Sequence, residues 1–189
     1  MSSLPDFGYL MDGCGGMISG DDAALLYTSA SWMEPKTIVE IGGCTGCSTS
    51  VLAKVAQENG GHLYTIECSP QERWHKNLER IGLTQYVTMI QAFSPWLTDE
   101  QLTLIPKPID YLLIDGEHKT KWCIADYQYW QKFVRPEGRI AFHDWCGANG
   151  VGAEIRRAVE IILETDALTE VARVGTSNRG LIVFTKNFA

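Results

Sequence analysis

Five short stretches of this 189-residue chain end in residues suited to chemistry or to close ligand approach: Glu40-Ile41-Gly42, Glu67-Cys68, Ala92-Phe93-Ser94, Asp115-Gly116-Glu117-His118 and His143-Asp144-Trp145. The last two are the richest, with two carboxylates and two imidazoles between them. Carboxylate oxygens suit a hard divalent cation such as magnesium, and an added imidazole shifts the preference toward softer ions such as manganese, iron or zinc. An imidazole with an ordinary pKa of about 6.5 can also take a hydroxyl proton at neutral pH. The same residues fit a plainer arrangement, with His143 packed at a strand end and Asp144 capping the next segment.

The run Gly42-Gly43-Cys44-Thr45-Gly46 stands between Glu40 and the hydroxyls of Ser48 and Thr49. A dinucleotide fingerprint, G-x-G-x-x-G, needs a glycine where Cys44 stands, and a phosphate-cradling P-loop needs a following Gly-Lys-Ser/Thr that is missing. The run therefore offers a tight turn, close backbone approach and hydroxyls, which suit a ligand with carboxylate and amine groups better than a phosphate. Glu67 can accept both hydroxyls of a ribose, as acidic residues at the end of a second strand do in nucleotide-binding α/β folds. Cys44 and Cys47 form a lone C-x-x-C with no second pair or histidine pair to complete a zinc site, so neither thiol is expected to be needed for redox or zinc chemistry.

The elements that must position these residues alternate. β-Branched runs at KTIVEIG, HLYTIE, YVTMIQA, IDYLLID and GRIAFHD predict buried strands. Between them, helical patterns appear at CSTSVLAKVAQENGG, SPQERWHKNLERIGL (Ser69 as cap, Pro70 in the first turn), PWLTDEQLTLI and KTKWCIADYQYWQKFV. VGAEIRRAVEIILET is a further helix, and LTEVARVG and GLIVFTK, separated by TSNR, read as a hairpin. Ahead of all these, SGDDAALLYTSASWM is a helix capped by Ser19 or Asp21, while residues 1–20 are Gly-rich and show no period. Strands alternating with helices imply a mostly parallel α/β sheet with an antiparallel end, and such sheets bind ligands outside the carboxyl ends of their strands.

The composition, 45% apolar and 21% charged, is that of one globular domain. A net charge of -7 argues against a nucleic-acid or anionic-membrane partner. With no long apolar span and no signal-peptide plan at the amino terminus, the chain reads as cytosolic. Tyr9, Trp96, Trp122, Trp130 and Trp145 are assigned to the core or to helix faces, with Tyr9 and Trp145 as candidate walls of an acceptor pocket.

In this order, VEIGGCTGCST, YTIECSP, VTMIQAFS, DYLLIDGEH and GRIAFHDW resemble a class I S-adenosylmethionine-dependent methyltransferase. The likeness is to small-molecule O-methyltransferases of the macrolide-sugar and cephalosporin-tailoring type, related to catechol O-methyltransferases, and it runs from residue 35 to 186. It implies a Rossmann-like α/β fold: a seven-stranded, mostly parallel sheet, helices on both faces and a carboxyl-terminal antiparallel hairpin. It implies a methyltransferase domain over residues 35–189, preceded by a lid or helical segment at 1–34, the whole forming a single domain.

The resemblance also assigns roles. Glu40, Gly42, Gly46 and Ser48, with Gly43 and Cys44 in the same loop, would surround the methionine part of S-adenosylmethionine. Glu67 would hold the ribose, Cys68 would lie beside the adenine, and Ala92, Phe93 and Ser94 would flank its ring, although Ala92 and Phe93 depart from the family's usual Gly and small residue. Asp115 would serve both cofactor and metal. In metal-dependent relatives the residues matching Asp115 and Asp144 are ligands, and the one matching His118 is the general base. An acid or amide next to the second aspartate is missing here, since the neighbours are His143 and Trp145, so Asp115, His143 and Asp144 form the expected set for magnesium or manganese. The implied reaction is methylation of a small-molecule hydroxyl, with oligomeric state left open. Alternatives are N-methylation, a metal-independent reaction, a non-catalytic S-adenosylmethionine-binding protein and, further off, a nicotinamide-dependent oxidoreductase.

Overall fold

The computed structural model describes residues 4–15, 17–147, 149–175 and 179–187. Its centre is a seven-stranded sheet built from β1 (Thr37–Ile41), β2 (His62–Glu67), β3 (Val87–Gln91), β4 (Ile109–Ile114), β5 (Val134–His143), β6 (Leu168–Val174) and β7 (Leu181–Lys186), in the order β3-β2-β1-β4-β5-β7-β6. The first five are parallel to one another, and β7 runs antiparallel to both β5 and β6. The chain moves outward from β1 to β2 and β3, then returns to set β4 on the other side of β1. That reversal leaves a crevice beyond the carboxyl ends of β1 and β4, where open α/β sheets bind ligands.

Because both faces are covered, β1 is buried at every position, and its side chains alternate between two cores. Ile38, Leu63, Tyr111 and Leu113 face one core, against α2 (Gly20–Ser31), α3 (Cys47–Asn59) and α4 (Glu72–Arg80). Val39, Ile66, Leu112, Ile114 and Phe142 face the other, against α6 (Thr120–Trp130) and α7 (Gly150–Thr165). The short helices α1 (Phe7–Met11) and α5 (Asp99–Thr103) complete the set among the described residues.

Ser19 caps α2 through a capping box with Asp22, whose carboxylate accepts the Ser19 N–H at 2.9 Å. α1 forms within the Gly-rich opening because the Asp6 side chain accepts the Tyr9 N–H at 3.0 Å. Leu10, Cys14 and Ile18 pack into the first core, so this opening is tied to the domain. α4 starts at Glu72 rather than near Pro70, because the Ser69 N–H is given to Glu67 at 2.8 Å and its hydroxyl caps nothing. The helix expected to run to Val134 is α-helical to Trp130, continues as a 3₁₀ turn over Gln131–Phe133 and ends there, because Val134 already belongs to β5. Of the TSNR turn, residues 176–178 lie outside the described residues, while β6 and β7 on either side pair antiparallel. Among the described residues, no helix is long and apolar enough to cross a membrane.

Candidate active site

The turn after β1 is forced by its packing. Gly42 has φ 91° and donates to the Ile66 carbonyl at 2.9 Å, and a Cβ on it would stand 2.1 Å from the Asp115 carbonyl oxygen. Only glycine allows β1 and β4 to come this close at their carboxyl ends. Gly46, at φ 92°, starts α3, and its missing side chain would point at Trp74. Beneath the loop lies Glu40, fully buried, accepting the hydroxyls of Ser48 at 2.6 Å, Thr49 at 2.7 Å and Thr65 at 2.8 Å. Burial outweighs these three donors and pushes the Glu40 carboxyl up to about 7.

Above this loop opens a cavity of about 580 Å³, within the usual range for small-molecule sites. From the glycine loop it is lined by Gly42, Gly43, Cys44 and Ser48; from the end of β2 by Glu67 and Cys68; and after β3 by Ala92, Phe93 and Ser94. Asp115, His118, His143 and Asp144 line its remaining carboxyl edge. Two residues expected at the ligand do not line it. Glu40 is spent on the hydroxyls beneath the loop, and Gly46 faces Trp74.

Glu67 is pinned on both oxygens, Oε2 accepting the Cys44 N–H at 2.9 Å and Oε1 the Ser69 N–H at 2.8 Å. Oε1 also accepts the Cys68 thiol at 3.5 Å, so it is Oε2 that keeps a lone pair for a further donor. Ser94 donates to Asp126 at 2.5 Å and accepts from the Trp130 indole at 2.9 Å. Asp126 lies in the cavity wall, and burial pushes its carboxyl up to about 6 against the Ser94 bond.

At the opposite end, Asp115, His118 and Asp144 bring one ligand atom each within 4.8 Å of one another. His118 Nε2 lies 3.0 Å from Asp144 Oδ2 and 3.8 Å from Asp115 Oδ1. Hydrogen bonds to these two carboxylates push the His118 imidazole up to about 10, so it sits as a cation. Asp144 adopts a left-handed backbone, φ 56°, which turns its carboxylate toward the cluster. His143 is placed differently from the expected ligand. Its ring is 4% exposed, with Nδ1 3.2 Å from Asp115 Oδ1 and Nε2 3.6 Å from the buried Asp22 Oδ2. Burial disfavours its charge, but the surrounding carboxylates prevail and push it up to about 11. Its ring nitrogens are bracketed by Asp115 and Asp22, and the compact donor group contains His118 where His143 was expected. Asp115, which burial alone would raise, is lowered by His143 and His118.

The cavity wall also contains residues that sequence reasoning passed over or assigned elsewhere. Met17 and Ile18 reach it from the amino-terminal segment, Trp96 and Trp122 form an edge-to-face pair 5.2 Å apart, and Asp126 and Arg179 contribute charge. Trp122 and Asp126 are one helical turn apart on α6, a spacing visible in the sequence. Tyr9 and Trp145 do not line it: Tyr9 stacks under Arg80, and the Trp145 indole donates to the Val174 carbonyl at 3.0 Å.

A Rossmann-like sheet with its ligand cavity at the β1/β4 reversal, a glycine turn on one side and an acid at the end of β2, defines a nucleotide-cofactor α/β protein. The chain belongs to the family of methyltransferase domains, whose pattern matches residues 39–145. Over 85 residues it is 39% identical to the protein-L-isoaspartate O-methyltransferase of Staphylothermus marinus, a stretch that makes up 41% of this chain and 38% of that one. The O-methyltransferase of Bacillus cereus, solved in complex with SAH, superposes with a TM-score of 0.74 at 19% identity, covering 97% of this chain and 93% of the other. An O-methyltransferase of Streptomyces achromogenes involved in tomaymycin synthesis, solved with SAM, gives 0.76 at 16% identity over 97% and 92%. At these identities the superpositions establish the fold.

Proposed function

We propose that the protein transfers the methyl group of S-adenosylmethionine to a hydroxyl oxygen of a small molecule, with a divalent cation held by Asp115 and Asp144 and His118 as proton acceptor. The observation that carries this reading is that the glycine turn, Glu67 and the Asp115–His118–Asp144 cluster all line one cavity. Relatives of the same fold were solved with SAM or SAH, which supports the choice of cofactor.

The residues fit both groups. Gly42 and Gly43 expose backbone to the cavity, Glu67 Oε2 has a lone pair left for a ribose hydroxyl, and Ser94 is held still by Trp130 and Asp126 at the adenine end. The cofactor, when bound, supplies a methyl group already activated on a sulfonium. A cation, magnesium or manganese, would supply positive charge that makes an acceptor hydroxyl more acidic. Asp115 and Asp144 provide hard oxygen ligands for it. His143, hydrogen-bonded through Nδ1 to Asp115 and with Asp22 3.6 Å from its other nitrogen, keeps the Asp115 carboxylate turned toward the cluster. His118 holds its proton only because the two carboxylates attract it, so it accepts a proton once their charge is neutralised in another way. Met17 and Ile18 make the amino-terminal segment part of the cavity wall, consistent with a covering role for residues 1–34.

Calorimetry with S-adenosylhomocysteine, followed by transfer of a labelled methyl group to a panel of hydroxylated small molecules, tests the reading. An amine acceptor and an isoaspartyl peptide belong in the same panel. Failure to bind S-adenosylhomocysteine overturns the reading, and a label found on nitrogen or on the peptide carboxylate replaces the acceptor class.

A further inference from the structure

Asp126 is a buried carboxylate with one oxygen engaged and the other left over. It stands on α6 between Trp122 and Trp130, one turn from each, and is 3% exposed. The Ser94 hydroxyl donates to Oδ1 at 2.5 Å, and the Trp130 indole donates to that same hydroxyl at 2.9 Å. Two hydrogen bonds in series therefore anchor one side of the carboxylate. Oδ2 receives no donor among the described residues, and no cation pairs with the group. This oxygen lies against the turn after β4, where a Cβ on Gly116 would stand 3.3 Å from it. Asp126, Gly116 and Ser94 all line the cavity, beside Ala92 and Phe93. Buried polar groups are normally met by partners, and a single hydroxyl does not offset the burial that raises this carboxyl to about 6. Glu40, the other acid near the glycine loop with no cation beside it, is closed off by three hydroxyls.

We propose that Asp126 reads the base of the cofactor, its Oδ2 accepting a hydrogen bond from the exocyclic amine of adenine. The inference rests on the cofactor reading above and adds to it the residue that selects adenine. An ionised carboxylate only accepts, so it calls for a donor and opposes a ring nitrogen or a carbonyl oxygen presented in the same place. Adenine carries an amine at this edge of the base, whereas hypoxanthine carries an oxygen. Because Ser94 and Trp130 hold Oδ1, Oδ2 is set in place before the ligand arrives, and little freedom is lost on binding. Exchanging the amine for oxygen would set two acceptors against each other in a buried place, a mismatch that costs affinity because neither group finds a donor. Ser94 acts through Asp126 and is a positioning residue.

The test is calorimetry with S-adenosylhomocysteine and its deaminated analogue, S-inosylhomocysteine, on wild type, Asp126→Asn and Ser94→Ala. Thermal unfolding confirms that each protein is folded. Wild type should bind the adenosyl ligand more tightly by roughly tenfold or more, the worth of one hydrogen bond to a charged group. Asp126→Asn can turn an amide N–H to the cavity where Oδ2 stood, so the preference should collapse or invert. A merely structural role would not give this result, since a loosened site weakens both ligands alike. Ser94→Ala should reduce the preference without inverting it. Equal affinity of wild type for the two ligands, or an unchanged adenosyl preference in folded Asp126→Asn, overturns the inference and leaves the cofactor reading standing. If Asp126→Asn does not fold, Ser94→Ala decides by the same criterion. A wild type that binds neither ligand overturns the cofactor reading, and this inference with it.

Discussion

Glu67 Oε2 accepts the backbone N–H of Cys44 at 2.9 Å, so the acid at the end of β2 and the glycine loop after β1 are a single hydrogen-bonded unit. Glu67→Ala therefore does two things at once. It removes a candidate ribose acceptor, and it leaves the N–H groups of Cys44 and Ser69 without their partner. A hydrogen bond to a charged group is worth ~1.5–3 kcal/mol, so S-adenosylhomocysteine affinity should fall by roughly tenfold or more and the melting temperature should drop with it. Calorimetry and thermal unfolding on the same preparation check both effects. Unchanged affinity in a protein of lowered stability would leave Glu67 only its loop-holding role.

Chelation should stop methyl transfer while leaving S-adenosylhomocysteine binding nearly intact, and readded magnesium or manganese should restore it. Asp144→Ala should mimic the chelator, since one of two hard ligands is lost. His118→Ala should retain cation binding, measured by titration with manganese, and lose turnover by roughly 10²–10⁴-fold. If chelators do nothing while His118→Ala still abolishes the reaction, the two aspartates only shape the site.

Burial raises the Glu40 carboxyl from the 4.5 of an ordinary glutamate to about 7. The folded state thus binds this proton more tightly than the unfolded chain does. The resulting stability is fully present below about 4.5 and is lost as pH rises to about 7, with an upper bound of ~1.4 kcal/mol per pH unit. Glu40→Gln carries no such charge. The difference in melting temperature between wild type and Glu40→Gln should therefore shift in favour of the variant between pH 4.5 and 7 and stay flat above. A pH-independent difference would show that the three hydroxyl donors match the cost of burial.

The two glycines that frame the loop should respond unequally. Gly42→Ala sets a Cβ 2.1 Å from the Asp115 carbonyl oxygen and should yield little folded protein. Gly46→Ala meets only Trp74, its ring at 3.4 Å and its Cα at 3.6 Å, leaving the cost of its left-handed φ, ~1–2 kcal/mol, which is a modest fall in melting temperature with cofactor affinity retained. Strong loss of affinity in a folded Gly46→Ala protein would put that glycine at the ligand after all.

Much of the site was readable because open parallel sheets gather their strand ends at one edge. Glu67, Ser94, Asp115 and Asp144 were identified by standing just after buried β-branched runs, and each lines the cavity. Glu40 stands in the same kind of position and does not. Its side chain points under the glycine turn, and only the fold brings Ser48, Thr49 and Thr65 to it. Two helix boundaries were misjudged: a local bond to Glu67, two residues back, engaged the Ser69 amide, and pairing with β4 claimed Val134.

The sequence by itself determined the alternation of strands and helices, the glycine turn, and which residue types stand at the carboxyl ends, because periodicity and backbone freedom are local properties. Tertiary structure decided the pairings. Asp22 comes within 3.6 Å of His143 from the amino-terminal helix while Asp115 bonds its other nitrogen, and His118 rather than His143 joins the compact donor group. Those outcomes depend on electrostatics and contacts between segments far apart in the chain, and spacing along the sequence carries no information about which distant charge will be brought within a few ångströms.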